Sequence, residues 1–430
     1  METGKNTQSI SILILTPFIA LHGLMHILST TLPALSPLVK EQFQLTNTGV
    51  GILSFAFAAA IGLGSIPLGM LSDKSDGIKL ITLGFFSTAI LSALLLLSHD
   101  FLSLILIFIA MGFFLSFYHP SALSYIANNF KVRRGKAYGV HETGASIGVA
   151  IAPLIAGSIC FYFGWHLVYL LWAFPTLFFA FLLIRMMKKR EGEWRERNKG
   201  KFFSDANTSA NADADANDMK IKVFLRQIIS TGSLRRIYLM EGLFGFVFGG
   251  SLTFIPIFLN EGGLGPDLAV MMTCVFTAGG AIGKFVGGHF SDLVGERKVM
   301  SYGFFLTAPL FFAVPFLPLS WAILALALAG LILPTVLTAI ITKISKEIVP
   351  SRAGIAFGLL MFAGFSFGSV SCVILGLVSD KFGISAVFYP IVIAVLLGGL
   401  LNICMPVRQG SRDARGVKTL EITRDYTKRK

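Results

Sequence analysis

Twelve runs of apolar residues, each near the ~20 residues an α-helix needs to cross a hydrocarbon layer, divide this chain. They lie at 10–38, 47–71, 79–98, 101–126, 137–162, 165–187, 236–260, 268–291, 299–316, 319–342, 354–378 and 384–406. Backbone amides have no water to bond in lipid, so each run must satisfy its own hydrogen bonds as a helix. A β-barrel would show short alternating strands instead. Only 14% of the residues are charged, against about 25% in an ordinary globular domain. The first run begins just behind Lys5. It is longer than the apolar region of a cleaved signal peptide and has a counterpart later in the chain, so it is expected to be span 1. The fold class expected is an all-α polytopic membrane protein.

The sequence also repeats itself at a constant offset of 219 positions. Gly69, Ser72 and Asp73 recur as Gly288, Ser291 and Asp292. Gly84-Phe85-Phe86 matches Gly303-Phe304-Phe305, and Gly135, Ala137 and Gly139 match Gly354, Ala356 and Gly358. A single shift over so long a stretch predicts a duplicated half. Two pseudo-symmetric six-helix bundles follow, at 1–187 and 236–406, with a partly disordered linker at 188–235 and a basic tail at 407–430. The linker runs from a charged stretch into Ser, Asp, Ala and Asn, which have little to bury.

The net charge of +13 could suggest nucleic acid, but its placement argues for topology. With the N-terminus placed in the cytoplasm, 33 of the 36 Lys and Arg fall on the cytoplasmic side. Lys40 and Lys381 fall outside, and Lys284 sits within a span. The positive-inside rule then predicts a multi-pass protein of the cell membrane with both termini cytoplasmic. The four cysteines lie in apolar runs without metal or disulfide spacing. No Gly-Lys-Ser/Thr phosphate loop and no nucleophile–base constellation is visible. Neither an enzyme nor a cofactor is therefore expected.

The repeated block falls on the turns after spans 2 and 8. It resembles the signature of the major facilitator superfamily, Gly-x-Leu-x-Asp-Arg-x-Gly-Arg-Lys. The second copy keeps Gly288, Asp292, Gly295 and Arg297; the first keeps Gly69, Leu71 and Asp73, with Lys74 in place of Arg. A weaker echo is Asp380-Lys381-Phe382-Gly383. The resemblance implies alternating access, with Gly69, Asp73, Lys74, Gly288, Asp292, Gly295 and Arg297 as a conformational latch. In that latch the Asp would accept backbone N–H groups and pair with basic residues of its turn.

A narrower resemblance covers most of the first half. Phe117-Tyr118-His119-Pro120, Arg133-Arg134-Gly135-Lys136-Ala137, Gly144, Gly148 and Pro153 are similar to the fosmidomycin-resistance branch. That branch carries His-x-x-x-Asp in span 1, where this chain has His22 and His26. The Arg of many drug–proton antiporters in span 4 is absent, and Phe108 stands near its place.

Ionisable groups at membrane depth cost about 2.5–3.5 kcal/mol on insertion scales, so they mark function by default. His22 and His26 are four residues apart and share one helix face. Each could carry a proton near neutral pH, or be a neutral, satisfied histidine. Their spacing suits a metal, but no third ligand can be placed from sequence, so no metal is expected. Glu142, beside His141, is either a proton carrier or a headgroup-facing residue. Glu241 is similar, with Arg235 and Arg236 able to draw it to the interface. Lys284 lies two turns from Asp292, ~12 Å along the helix, farther than its stem can snorkel. It is expected to pair with Glu142 or Glu241 or to anchor an anion. Tyr118 and His119 either line the cavity or pack around Pro120. In the family the first, fourth, seventh and tenth spans line the cavity, which implies His22, His26, Tyr118, His119 and Glu241 as site residues, with Glu142 and Lys284 close by.

The expected function is secondary active transport of a small molecule by a monomer, as proton-coupled efflux. Uptake of an organic anion by symport or uniport is the alternative, and a non-transporting receptor or scaffold a more distant one.

Overall fold

The computed structural model describes residues 15–72, 77–129, 134–197, 231–347 and 353–404. Asp73, Lys74, most of the expected linker and the basic tail lie outside the described residues. Every regular element described is helical. The α-helices are α1 (Thr16–Ala34), α2 (Ser36–Gln42), α3 (Asn47–Ser72), α4 (Gly77–Leu94), α5 (Phe101–Leu115), α6 (Tyr118–Asn129) and α7 (Arg134–Phe163). They continue with α8 (Trp165–Arg197), α9 (Gly232–Glu261), α10 (Pro266–Val294), α11 (Glu296–Ala313), α12 (Leu319–Glu347), α13 (Ala353–Phe382) and α14 (Phe388–Ile403). Eleven helical runs are long and apolar enough to cross a membrane, and α1 with α2 makes a twelfth, bent by 51°.

Proline explains the two broken spans. Pro33 and Pro37 flank the α1–α2 joint at Leu35, and each removes one helical hydrogen bond. In span 4, Pro120 cannot donate to the carbonyl of Ser116, and α5 stops before α6 restarts at Tyr118. Tyr118 and His119, at the restart, are buried. The counterpart helix α12 is continuous, so the break is a departure from the repeat. At its other end α8 runs to Arg197, beyond the expected linker start at 188. Its Lys, Arg and Glu residues favour helix on their own, even in water.

Buried apolar side chains form two clusters, one drawn almost entirely from α1–α8 and one from α9–α14. The repeat is visible in their packing. A Cβ on Gly84 would lie 3.0 Å from Phe117 Cβ. At the same offset, a Cβ on Gly303 would clash with Val336 Cγ2.

The halves meet along α3 against α13 and α7 against α10. Asp380 Oδ1 and Oδ2 accept the N–H groups of Asn47 and Thr48 at 2.8 and 2.9 Å, capping α3 from the opposite half. Asn47 Nδ2 donates to Ser379 Oγ at 2.8 Å, Ser36 Oγ to the Thr253 carbonyl at 2.7 Å, and Lys40 Nζ to Glu261 at 2.9 Å. A Cβ on Gly51 would overlap the Cys372 carbonyl, and one on Gly157 would overlap Met271. All these contacts lie toward the ends of the spans remote from the two termini of the chain. These contacts seal the seam at that end.

Candidate functional site

Close helix contact assembles the site. A Cβ on Gly144 would overlap the Ile19 carbonyl, and one on Gly148 the Gly23 carbonyl. These two glycines let α7 lie directly on the backbone of α1, as small residues do in membrane helices. His141, one turn before Gly144, is carried onto His22. Their rings stack with centroids 4.0 Å apart and planes 18° apart. Tyr118 at the start of α6 closes the stack against His141, 5.8 Å away at 13°.

The hydrogen bonds assign the tautomers, since the protons themselves are inferred from the network. Tyr118 has one hydroxyl proton and donates it to the Phe18 carbonyl, 2.5 Å away. Its oxygen therefore accepts from His141 Nε2, 2.8 Å away. The His141 carbonyl accepts from His22 Nδ1 at 3.0 Å. His141 Nδ1 and His22 Nε2 are left as lone pairs, both buried and without a hydrogen-bond partner. His141 Nδ1 faces Glu142 Oε1 at 3.6 Å, acceptor toward acceptor. One proton between them relieves the repulsion. Glu142 keeps 44% of its side chain exposed, whereas His141 is fully buried.

His26 lies one turn above His22, with ring centroids 4.9 Å apart. The His119 ring meets both, 5.0 Å from His22 and 5.5 Å from His26. Its Nε2 is buried without a partner. Across the cavity, Lys284 on α10 makes no ion pair within 4.0 Å among the described residues. Glu241 is buried, with Oε2 unpartnered and Oε1 facing Gly364. Arg236 donates to the Cys404 carbonyl, and Glu241 stays 3% exposed.

His22, His26, Tyr118, His119 and Glu142 are thus brought together in one half. Lys284 faces them from the other, and Glu241 stands apart on α9. The residue that sequence reasoning undervalued is His141, the hub of the network. Its signal was the spacing from Gly144 and Gly148, which puts all three on one helix face.

The expected latch differs in detail. Asp292 is exposed and has no hydrogen bond or ion pair among the described residues. Gly295 takes φ +90° and turns the chain so that Arg297 leaves Asp292. Arg297 Nη2 donates instead to the Ile403 carbonyl at 2.5 Å, and Asn402 Nδ2 returns a bond to the Arg297 carbonyl at 2.7 Å. Glu296 pairs with Lys346. Gly69 and Gly288 are not crowded: a Cβ would meet only Pro120 at 3.8 Å and Thr338 at 3.5 Å.

The sequence profile of the Major Facilitator Superfamily matches residues 18–365 and 237–422. The chain belongs to the major facilitator superfamily. Among its relatives, the uncharacterized MFS-type transporter YfnC of Bacillus subtilis (strain 168) is 25% identical, over 92% of this chain and 94% of that protein. The fosmidomycin resistance protein of Escherichia coli (strain K12) is 24% identical, over 90% of each chain. The glycerol-3-phosphate transporter of Bacillus subtilis (strain 168) is 23% identical over 84% of each. The superfamily fold is shared with a crystal structure of a bacterial homolog to the human lysosomal transporter Spinster, in an inward-facing and unoccupied conformation. The TM-score is 0.73, at 17% identity over 93% of this chain and 97% of that one. As a superfamily member the chain is a multi-pass membrane protein of the secondary transport class.

Proposed function

We propose that this protein exports a small molecule in exchange for protons, with His141, Glu142 and His22 as the proton-holding group and Lys284 facing them across the cavity. The observation that carries this reading is the meeting of two acceptors, His141 Nδ1 and Glu142 Oε1, 3.6 Å apart. That arrangement is comfortable with a proton and strained without one. Glu142 is partly exposed, so the proton has a route out. Tyr118 and the His22–carbonyl bond hold His141 in the tautomer that presents Nδ1 to Glu142. The charge sorting favours cytoplasmic termini; the end capped by Asp380 would then face outward and the proton group would serve the cell interior. Similarity to a relative named for fosmidomycin resistance favours export.

The test is flux in proteoliposomes under an imposed pH gradient. Glu142→Gln and His141→Gln are expected to weaken gradient-driven flux. Wild-type flux in both would sink the assignment. A second reading is uptake of an organic anion, favoured by the unpaired ammonium of Lys284 and by relatives named as glycerol-3-phosphate transporters. Under that reading Lys284→Ala abolishes substrate-dependent thermal stabilisation while leaving proton dependence intact.

A further inference from the structure

Three imidazoles converge where the proton group ends: His22 is shared with it, and His26 and His119 have no part in it. We propose that His22, His26 and His119 form a binding site for a borderline divalent transition-metal ion, represented by Zn2+, in the central cavity. Each residue offers one ring nitrogen, and these nitrogens lie within 4.8 Å of one another. Three nitrogens around a tetrahedral Zn2+, with Zn–N near 2.0–2.1 Å, are roughly 3.4 Å apart. Small side-chain rotations close that difference.

The ligands come from two helices: His22 and His26 from successive turns of α1, His119 from the start of α6. The break at Pro120 is what brings the third to the other two. His22 Nε2 and His119 Nε2 are unpartnered, on residues 0% and 6% exposed. An imidazole nitrogen with a free lone pair and no donor to meet it suits a cation. The remaining nitrogen of His22 donates to the His141 carbonyl, an outer bond that metal-ligating histidines almost always make. It fixes the tautomer that leaves Nε2 free for the ion.

The ring planes favour this trio over a second one. His22, His141 and Glu142 satisfy the same spacing. There the two imidazoles are stacked at 18°, so their lone pairs run in parallel planes rather than converge. In the proposed trio, His119 stands at 90° to His22 and 71° to His26, and the lone pairs can point at one centre. Three neutral imidazoles leave a fourth position open for water or for an anionic ligand held with Lys284. A Glu142 carboxylate oxygen lies within 4.8 Å of a His22 nitrogen, near enough to offset part of the ion's charge. A nitrogen set selects Zn2+, Cu2+, Ni2+ or Co2+ over Mg2+ and Ca2+, which prefer oxygen.

The experiment uses the full chain in detergent, purified through a tag without histidine. Co2+ serves as a spectroscopic probe and Zn2+ is titrated by calorimetry. One equivalent per chain is expected, with visible ligand-field bands that Zn2+ abolishes and millimolar Mg2+ leaves alone. His26→Ala and His119→Ala should each weaken binding by about tenfold or more, comparable with the loss of an outer-shell partner at least. His99→Ala, remote from the cluster, should bind as wild type. Absence of a one-equivalent site, displacement by Mg2+, or unchanged affinity in His26→Ala overturns the proposal. If His119→Ala does not fold, His26→Gln decides alone, because its side chain is only half-buried and its apo melting temperature reports integrity. Binding is read without transport, so loss of metal affinity and loss of proton-driven flux are separable results.

Discussion

Asp380 is the contact whose removal should change the conformational balance most simply. It lies near the end of α13, is exposed, and caps the first two N–H groups of α3 in the opposite half. A capping carboxylate is worth typically about 1 kcal/mol, within a range of 0.5–2. Hydrogen bonds to charged acceptors reach about 1.5–3 kcal/mol, but exposure here argues for the lower end. Asp380→Ala should therefore cost the sealed state about 1–2 kcal/mol. Each 1.4 kcal/mol is about tenfold in an equilibrium, so the population open at this end rises roughly 5–30-fold. Cys372 offers a native reporter. It is 3% exposed, and its carbonyl lies against Gly51 across the same seam. With Cys160, Cys274 and Cys404 replaced by Ala, an impermeant maleimide applied from the sealed side should label Cys372 slowly in the wild type. In Asp380→Ala the rate should rise by that same factor. Asp380→Asn keeps an acceptor without the charge and should fall between. Equal labelling rates in all three chains would show that the cap does not hold the seam.

Gly148→Ala should lower the melting temperature by the equivalent of about 1–3 kcal/mol, the usual cost of overpacking, because its Cβ would overlap the Gly23 carbonyl; an unchanged melt would refute backbone contact there. Tyr118→Phe removes the acceptor of His141 and the donor to Phe18, so it should cost about 1–2 kcal/mol in stability. It should also move the pH midpoint of gradient-driven flux, a change that packing loss alone would not give. Arg297→Ala frees the Ile403 carbonyl at an exposed site, and the measured loss should stay within about 1.5 kcal/mol with substrate affinity unaltered. Lys40→Ala breaks an exposed pair and should change Cys372 labelling by at most about fivefold, since such pairs contribute at most about 1 kcal/mol.

The spans, their number and the two-fold internal repeat were readable from the chain because lipid imposes one rule on every segment. Length and apolarity then suffice. The register of the repeat survives into contacts, as Gly84 with Phe117 and Gly303 with Val336 demonstrate. The site was readable only as a set of residues. Nearly every position in these helices is apolar whether it faces lipid or protein, so no amphipathic stripe reports which face meets which neighbour. Hence His141 looked like the bystander of Glu142, although its ring sits at the centre. His119 could not be joined to His22 and His26, because the turn at Ser116–Phe117 depends on one proline absent from the second half. Asp380 read as an echo of the turn motif, and instead it caps a helix 333 positions away.

The asymmetry has a mechanical consequence. His22, His26, His119, His141 and Glu142 belong to one half, and within it α1 and α7 touch backbone to backbone. Such contacts move as one body, so distances inside the cluster should stay constant through a transport cycle. Lys284 and Glu241 belong to the other half. When the sealed seam between α3 and α13 opens, Lys284 must shift relative to Glu142 and His26, while its own neighbours on α12 travel with it through the tight contacts of Gly283 and Gly287. In the proposed cycle, the electrostatic work done on a proton or cation in the cluster therefore depends on conformation through Lys284. Replacing Lys284 with Gln should flatten that dependence. Proton-driven and counterflow rates should then converge, and rates that remain as separated as in wild type would place the coupling elsewhere.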